Sequence, residues 1–91
     1  MFDVAFFDKS FVKRIEDFSR DHDGAHVRLE VVTTSGERLD ALEFKALEDG
    51  TRLSTRDDRL VFLPYSLIAY IDVSILQDRR VPGFQFSTSA D

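Results

Sequence analysis

Residues 26–73 read HVRLEVVTTSGERLDALEFKALEDGTRLSTRDDRLVFLPYSLIAYIDV. The stretch falls into five β-rich runs, broken at Ser35-Gly36, Asp49-Gly50, Asp57-Asp58 and Pro64-Tyr65-Ser66. Turn residues at such close intervals predict a small antiparallel barrel with short strands. The first run, 26–34, puts Val27, Leu29, Val31 and Thr33 on one face and Arg28, Glu30 and Val32 on the other. Ser35-Gly36 then supplies the positive φ of a tight hairpin. The second run, 37–47, places Leu42, Phe44 and Ala46 at period two. It is long for a strand, so a bend or bulge is expected within it, as closing a small barrel demands.

Asp49-Gly50 is the strongest hairpin signal in the chain. The third run, 51–56, turns Leu53 inward with Thr51 and Thr55, leaving Arg52, Ser54 and Arg56 on the opposite face. The fourth, 59–63, is nearly all apolar, which predicts a strand buried on both sides. Pro64-Tyr65-Ser66 fits one helical turn before a fifth strand over 67–73.

The flanks of this stretch are read differently. Residues 1–7, MFDVAFF, suit a short strand or an apolar arm. Beyond them Phe11, Val12, Ile15 and Phe18 recur at helical spacing, predicting an amphipathic helix over 8–23. Asp8 and Ser10 are the expected caps and Gly24 the stop. After 77–80 the chain breaks at Pro82-Gly83, and the remainder reads as a tail with two anchoring residues, Phe84 and Phe86. The expected organisation is one domain over 1–91, with an arm and helix at 1–24, a barrel at 26–75 and a tail at 76–91.

Composition narrows the function classes. A single 91-residue domain has a high surface-to-volume ratio and often gains stability by oligomerising. Five of its nine Phe lie near the termini (Phe2, Phe6, Phe7, Phe84 and Phe86), so the ends must dock on the barrel or on a neighbouring subunit. The absence of Cys excludes disulfides, thiolate nucleophiles and cysteine-bound metal. No membrane span or signal-peptide core is expected, which makes a reduced cytoplasmic setting the default. A net charge of −5 opposes sequence-blind nucleic-acid binding, which needs a positive field.

Gly36 in the first turn with Leu39 and Ala41 in the second run, followed by VFLPYSLIAYI with Ile68 and Ile71, together resemble the two sequence motifs of the Sm/Hfq-like family, small SH3-like barrels. The resemblance covers about residues 8–73. It implies a mainly β fold: an N-terminal helix, then a five-stranded, strongly bent antiparallel barrel. It also implies homo-oligomeric, ring-shaped assembly (the family's strands four and five pair edge to edge between subunits). On that frame Leu60, Phe62, Leu63, Leu67, Ile68 and Tyr70 are the expected interface. The family's RNA-binding Asn and basic pair are missing, with Pro64-Tyr65 in place of the latter and an acidic Glu48-Asp49 in the loop. The architecture is therefore carried over and the RNA activity is not.

Other chemistry is weighed on the residues themselves. Arg38, Arg52, Arg56 and Arg59 form a candidate anion- or RNA-binding patch, since guanidinium forks suit phosphate. The favoured reading is that Glu30, Glu43, Asp57 and Asp58 neutralise them in cross-strand pairs. His22 and His26 with Asp21 and Asp23 resemble metal ligands, but Gly24 interrupts their spacing, and a solvated helix end is favoured; no metal site or cofactor is expected. Ser10, Ser35 and Ser54 have no triad partners at usable spacing, so no catalytic residue and no enzyme is expected. The expected function is a homo-oligomeric binding or scaffold assembly with a protein or peptide partner; an RNA-binding ring and a monomeric peptide-reading module are the alternatives.

Overall fold

A computed structural model describes residues 2–86. An N-terminal helix precedes five antiparallel strands, β1 (Val27–Thr33), β2 (Arg38–Ala46), β3 (Gly50–Thr55), β4 (Leu60–Pro64) and β5 (Ile68–Ile75). The sheet order is β4-β3-β2-β1-β5, and a short β6 (Gln85–Phe86) pairs parallel with β2. β4 and β5 end the path without pairing to one another, so the sheet is bent but not closed.

The helix starts earlier than its periodicity suggests. Residues 4–20 are helical, with a π-helical segment Phe6–Phe11 leading into α1 (Val12–Arg20). Neither Asp8 nor Ser10 caps it; the Phe6 amide donates to Asp3 Oδ1 at 2.8 Å. The wider π turn sets residues five apart over one another, and the Phe6 and Phe11 rings lie 5.6 Å apart. Phe7, fully buried, meets Phe44 at 4.7 Å and stacks on Tyr65 at 5.8 Å. The N-terminal Phe cluster thus covers the chain's own sheet. At the other end, the amides of Gly24 and Asp23 close on the carbonyls of Ser19 and Arg20. This paired closure needs a left-handed backbone, and Asp23 and Gly24 adopt it (φ 59° and 71°).

The core lies between helix and sheet, built from Val27, Leu29 and Val31 of β1, Leu39, Ala41 and Phe44 of β2, and Leu53 and Leu63. The expected irregularity in β2 is present as a register shift between Ala41 and Glu43. It also corrects the inward set: the extra residue changes the phase, so Leu39, Ala41 and Phe44 are buried while Leu42 is only half-buried. Thr51 and Thr55 are buried as expected. Their hydroxyls are satisfied by local backbone, Thr51 donating to the Leu63 carbonyl and Thr55 accepting from the Arg59 amide.

Beyond β5 the tail folds back on its own chain. The Phe84 amide donates to the Val27 carbonyl at 2.8 Å, and its side chain is buried against the core. Residues 85–86 then fill the gap where β1 and β2 diverge. Anchoring by the Phe86 side chain lies outside the described residues.

Candidate interaction edges and the arginine face

β4 and β5 carry the surface that distinguishes this chain. β4 is not buried on both sides: as an end strand it sends Val61 and Leu63 inward and leaves Leu60, Phe62 and Pro64 outside. The 3-10 turn Tyr65–Leu67 follows. It is pinned by Tyr65, whose hydroxyl donates to the Leu47 carbonyl. Of the six residues expected at an interface, Leu60, Phe62, Leu67 and Tyr70 are 59%, 64%, 45% and 50% exposed. Leu63 and Ile68 are buried in the core, so their side chains are committed within the subunit. Between the helix and β5 runs an apolar groove of about 410 Å3, bordered by Phe2, Phe6, Phe18, Tyr70, Ile71 and Val73.

The four arginines do not form one open patch. Arg38 sits among acceptors, with Nη2 2.6 Å from Asp72 Oδ2 and Nε 3.4 Å from Glu30 Oε2, and it also donates to the Tyr70 hydroxyl. These bonds, chiefly those to Glu30 and then Asp72, hold its guanidinium charged beyond the ordinary arginine range. Arg56 pairs with Asp40 at 3.0 Å, and its buried Nη2 has no partner among the described residues. Arg59 pairs with Asp57 at 3.0 Å and lies 3.8 Å from Glu37. Glu30 and Asp57 are partners as the sequence suggested. Asp72, Asp40 and Glu37 take the places expected for Glu43 and Asp58. These carboxylates become visible only once cross-strand register is known, because Glu30 faces both Asp40 and Asp72.

Arg52 differs from the other three. It faces Lys45 on β2 and Phe62 on β4, and no carboxylate lies within ion-pair distance of it among the described residues. Exposed pairs such as those of Arg38 and Arg59 add little to stability, because solvent screens them. Their main effect here is to occupy guanidinium groups that a phosphate would otherwise meet.

His22 and His26 are not brought together. The His22 Nδ1–H donates to the Phe18 carbonyl at 2.8 Å, and the His26 Nδ1–H donates to the Val81 carbonyl at 3.0 Å. Among the described residues no group of three His, Asp or Glu converges on a point. No helix among them is long and apolar enough to cross a membrane. Neither a protein-family model nor a curated protein nor a solved structure matches the chain.

Proposed function

We propose that this chain is a non-enzymatic, Sm-like small barrel that assembles edge to edge into a homo-oligomer, a closed ring, and acts as a binding or scaffold assembly in a cytoplasmic setting. One observation carries this reading. Among the described residues the large hydrophobic side chains left exposed (Leu60, Phe62, Leu67 and Tyr70) all lie on β4, on β5 or on the turn between them, and β4 and β5 are the two ends of the main sheet path. An uncovered strand edge flanked by apolar side chains is a template for another strand. Two different edges meeting head to tail form a heterologous contact, which closes into a ring when the rotation permits. The order of strands and the N-terminal helix fit the same family frame.

The test is light scattering on the size-exclusion peak of the unmodified chain and of Phe62→Glu. A discrete oligomer that falls to monomer on substitution is the expected result. A wild-type chain that stays monomeric at micromolar concentration overturns the reading. An RNA-binding ring that uses Arg38, Arg52, Arg56 and Arg59 is the less favoured alternative, because three of the four are already paired with carboxylates. Nucleic acid co-purifying with the peak, and released steeply by salt, would restore it.

A further inference from the structure

The outward faces of the two free edges carry charges that select one way for copies to meet; this step rests on the edge-to-edge assembly proposed above. On the β4 side, one outward row runs Lys45, Arg52, Phe62. On the β5 side three cross-strand rows are available: Tyr70-Val32-Arg38, whose middle residue is buried, Asp72-Glu30-Asp40 and Ser74-Arg28. Side chains alternate along a strand, so a slip of one residue would turn Phe62 to the wrong face, and only slips of two need comparing. With Phe62 opposite Tyr70, the Arg52 row runs on toward Arg38; opposite Ser74, it runs on toward Arg28. Like charges then share a row. Opposite Asp72, the same row runs on into three carboxylates.

We propose that β4 of one copy pairs antiparallel with β5 of the partner subunit with Phe62 opposite Asp72, so that Arg52 lies across the Phe62 ring and bonds the carboxylate of Asp72 of the partner subunit. The antiparallel sense continues that of all neighbouring pairs along the main sheet. Strands two apart are separated by about 9–10 Å, a span that an extended arginine and a carboxylate bridge together. A guanidinium over an aromatic face is itself favourable, so Phe62 supports the path. Asp72 has acceptor capacity for a second cation: Arg38 takes its Oδ2, and Oδ1 has no partner among the described residues. In this register Leu60 lies opposite Ser74 and Pro64 opposite Tyr70.

The chain has no cysteine, which makes the register directly readable. Directly opposed residues have Cα atoms about 4.5–5.5 Å apart, inside the disulfide range, whereas diagonal neighbours lie about 7–8 Å apart. Under mild oxidation, Leu60→Cys/Ser74→Cys is expected to give a ladder of covalent multimers on a denaturing gel. A ladder from Leu60→Cys/Asp72→Cys or from Leu60→Cys/Leu76→Cys instead would overturn the register. So would a discrete oligomer by light scattering with no ladder from any pair. A chain monomeric by light scattering overturns the underlying assembly along with it, which keeps the two failures apart. Arg52→Glu, with circular dichroism confirming its fold, is expected to raise the subunit dissociation constant about tenfold or more, and an unchanged constant removes the ion pair.

Discussion

Truncating Phe7 and truncating Phe62 to Ala should have opposite profiles, although both remove the same phenyl ring. Phe7 is 1% exposed, and its ring contacts Phe2, Phe6, Phe11, Phe44 and Tyr65 at centroid distances of 4.7–5.8 Å. Buried Phe→Ala changes cost about 3–5 kcal/mol, and a helix docked on a small sheet has little else to fill the space. A domain of this size has about 5–14 kcal/mol of stability in total, so Phe7→Ala should remove roughly a fifth or more. With a urea slope of about 2 kcal/mol per M, the midpoint should fall by about 2 M. Phe62 is 64% exposed within one subunit, so Phe62→Ala should move the monomer's stability by only about 0.5 kcal/mol. Fully burying such a side chain at a contact contributes about 1.5–3 kcal/mol, and the exposed share scales this to about 1–2. The assembly constant should therefore weaken about 5–30-fold. Urea melts at a dilution that keeps subunits apart, paired with light scattering across concentration, separate the two effects. A Phe7→Ala midpoint within about 0.3 M of wild type would refute the docking of the helix. Equal destabilisation of the dilute chain by both changes would refute the placement of Phe62 outside the core.

Two further outcomes follow from local geometry. Gly50 lies where a Cβ would stand 2.8 Å from the Leu63 carbonyl oxygen and 3.1 Å from Pro64 Cα, so Gly50→Ala should force β3 and β4 apart and cost about 1–3 kcal/mol. Amide exchange in β4 should then accelerate ahead of the rest of the sheet, and unchanged protection there would contradict the close approach. Tyr65 has its phenol pushed above the ordinary 10.0, first by burial and then by Asp8, Asp3 and Asp49. A raised folded value means the neutral phenol's contribution is complete below pH 10 and is lost as pH climbs through the folded value. Urea midpoints should therefore drop above pH 10, and Tyr65→Phe should flatten that decline while costing about 1 kcal/mol at neutral pH through the orphaned Leu47 carbonyl. An alkaline decline identical in the variant would assign it to other groups.

Much of the architecture was legible because turn chemistry is local. Ser35-Gly36, Asp57-Asp58 and Pro64-Tyr65-Ser66 each stand where the chain reverses or coils, with Gly36 at φ 91° and Asp58 at φ 63°. Asp49-Gly50 marks a hairpin too, but Gly50 has no positive φ; it serves by lacking a Cβ against β4. The bulge in β2 was foreseeable from strand length, yet its position was not. Past the bulge Phe44 and Ala46 meet the core as their spacing suggests, but before it the phase is the opposite one, so Leu39 and Ala41 are buried and Leu42 is not. The helix start was hidden because Asp3 caps it from within a run that reads as an apolar arm, and periodicity of 3.6 does not describe a π turn. The partners of Arg38 and Arg56 were hidden for another reason. Asp72 and Asp40 lie 34 and 16 residues away in the chain, and only the register brings them alongside.

The run LVFLP of β4 is where sequence and single-chain structure part most informatively. A continuous apolar strand is expected between two covering layers. Here Val61 and Leu63 meet the core, while the alternate residues Leu60 and Phe62 face outward at 59% and 64% exposure from the last strand of the sheet. Both patterns call for the same residues, since what differs is whether the second cover belongs to the chain. The chain does supply cover elsewhere: the Phe cluster closes the helix side of the core, and Phe84 with β6 fills the gap between β1 and β2. Against that thoroughness, the two end strands keep bare edges with apolar side chains, one backed by Arg52, which has no carboxylate partner among the described residues, and the other by Asp72 and Glu30. On the proposed assembly, the strand reads as buried because in the oligomer it is.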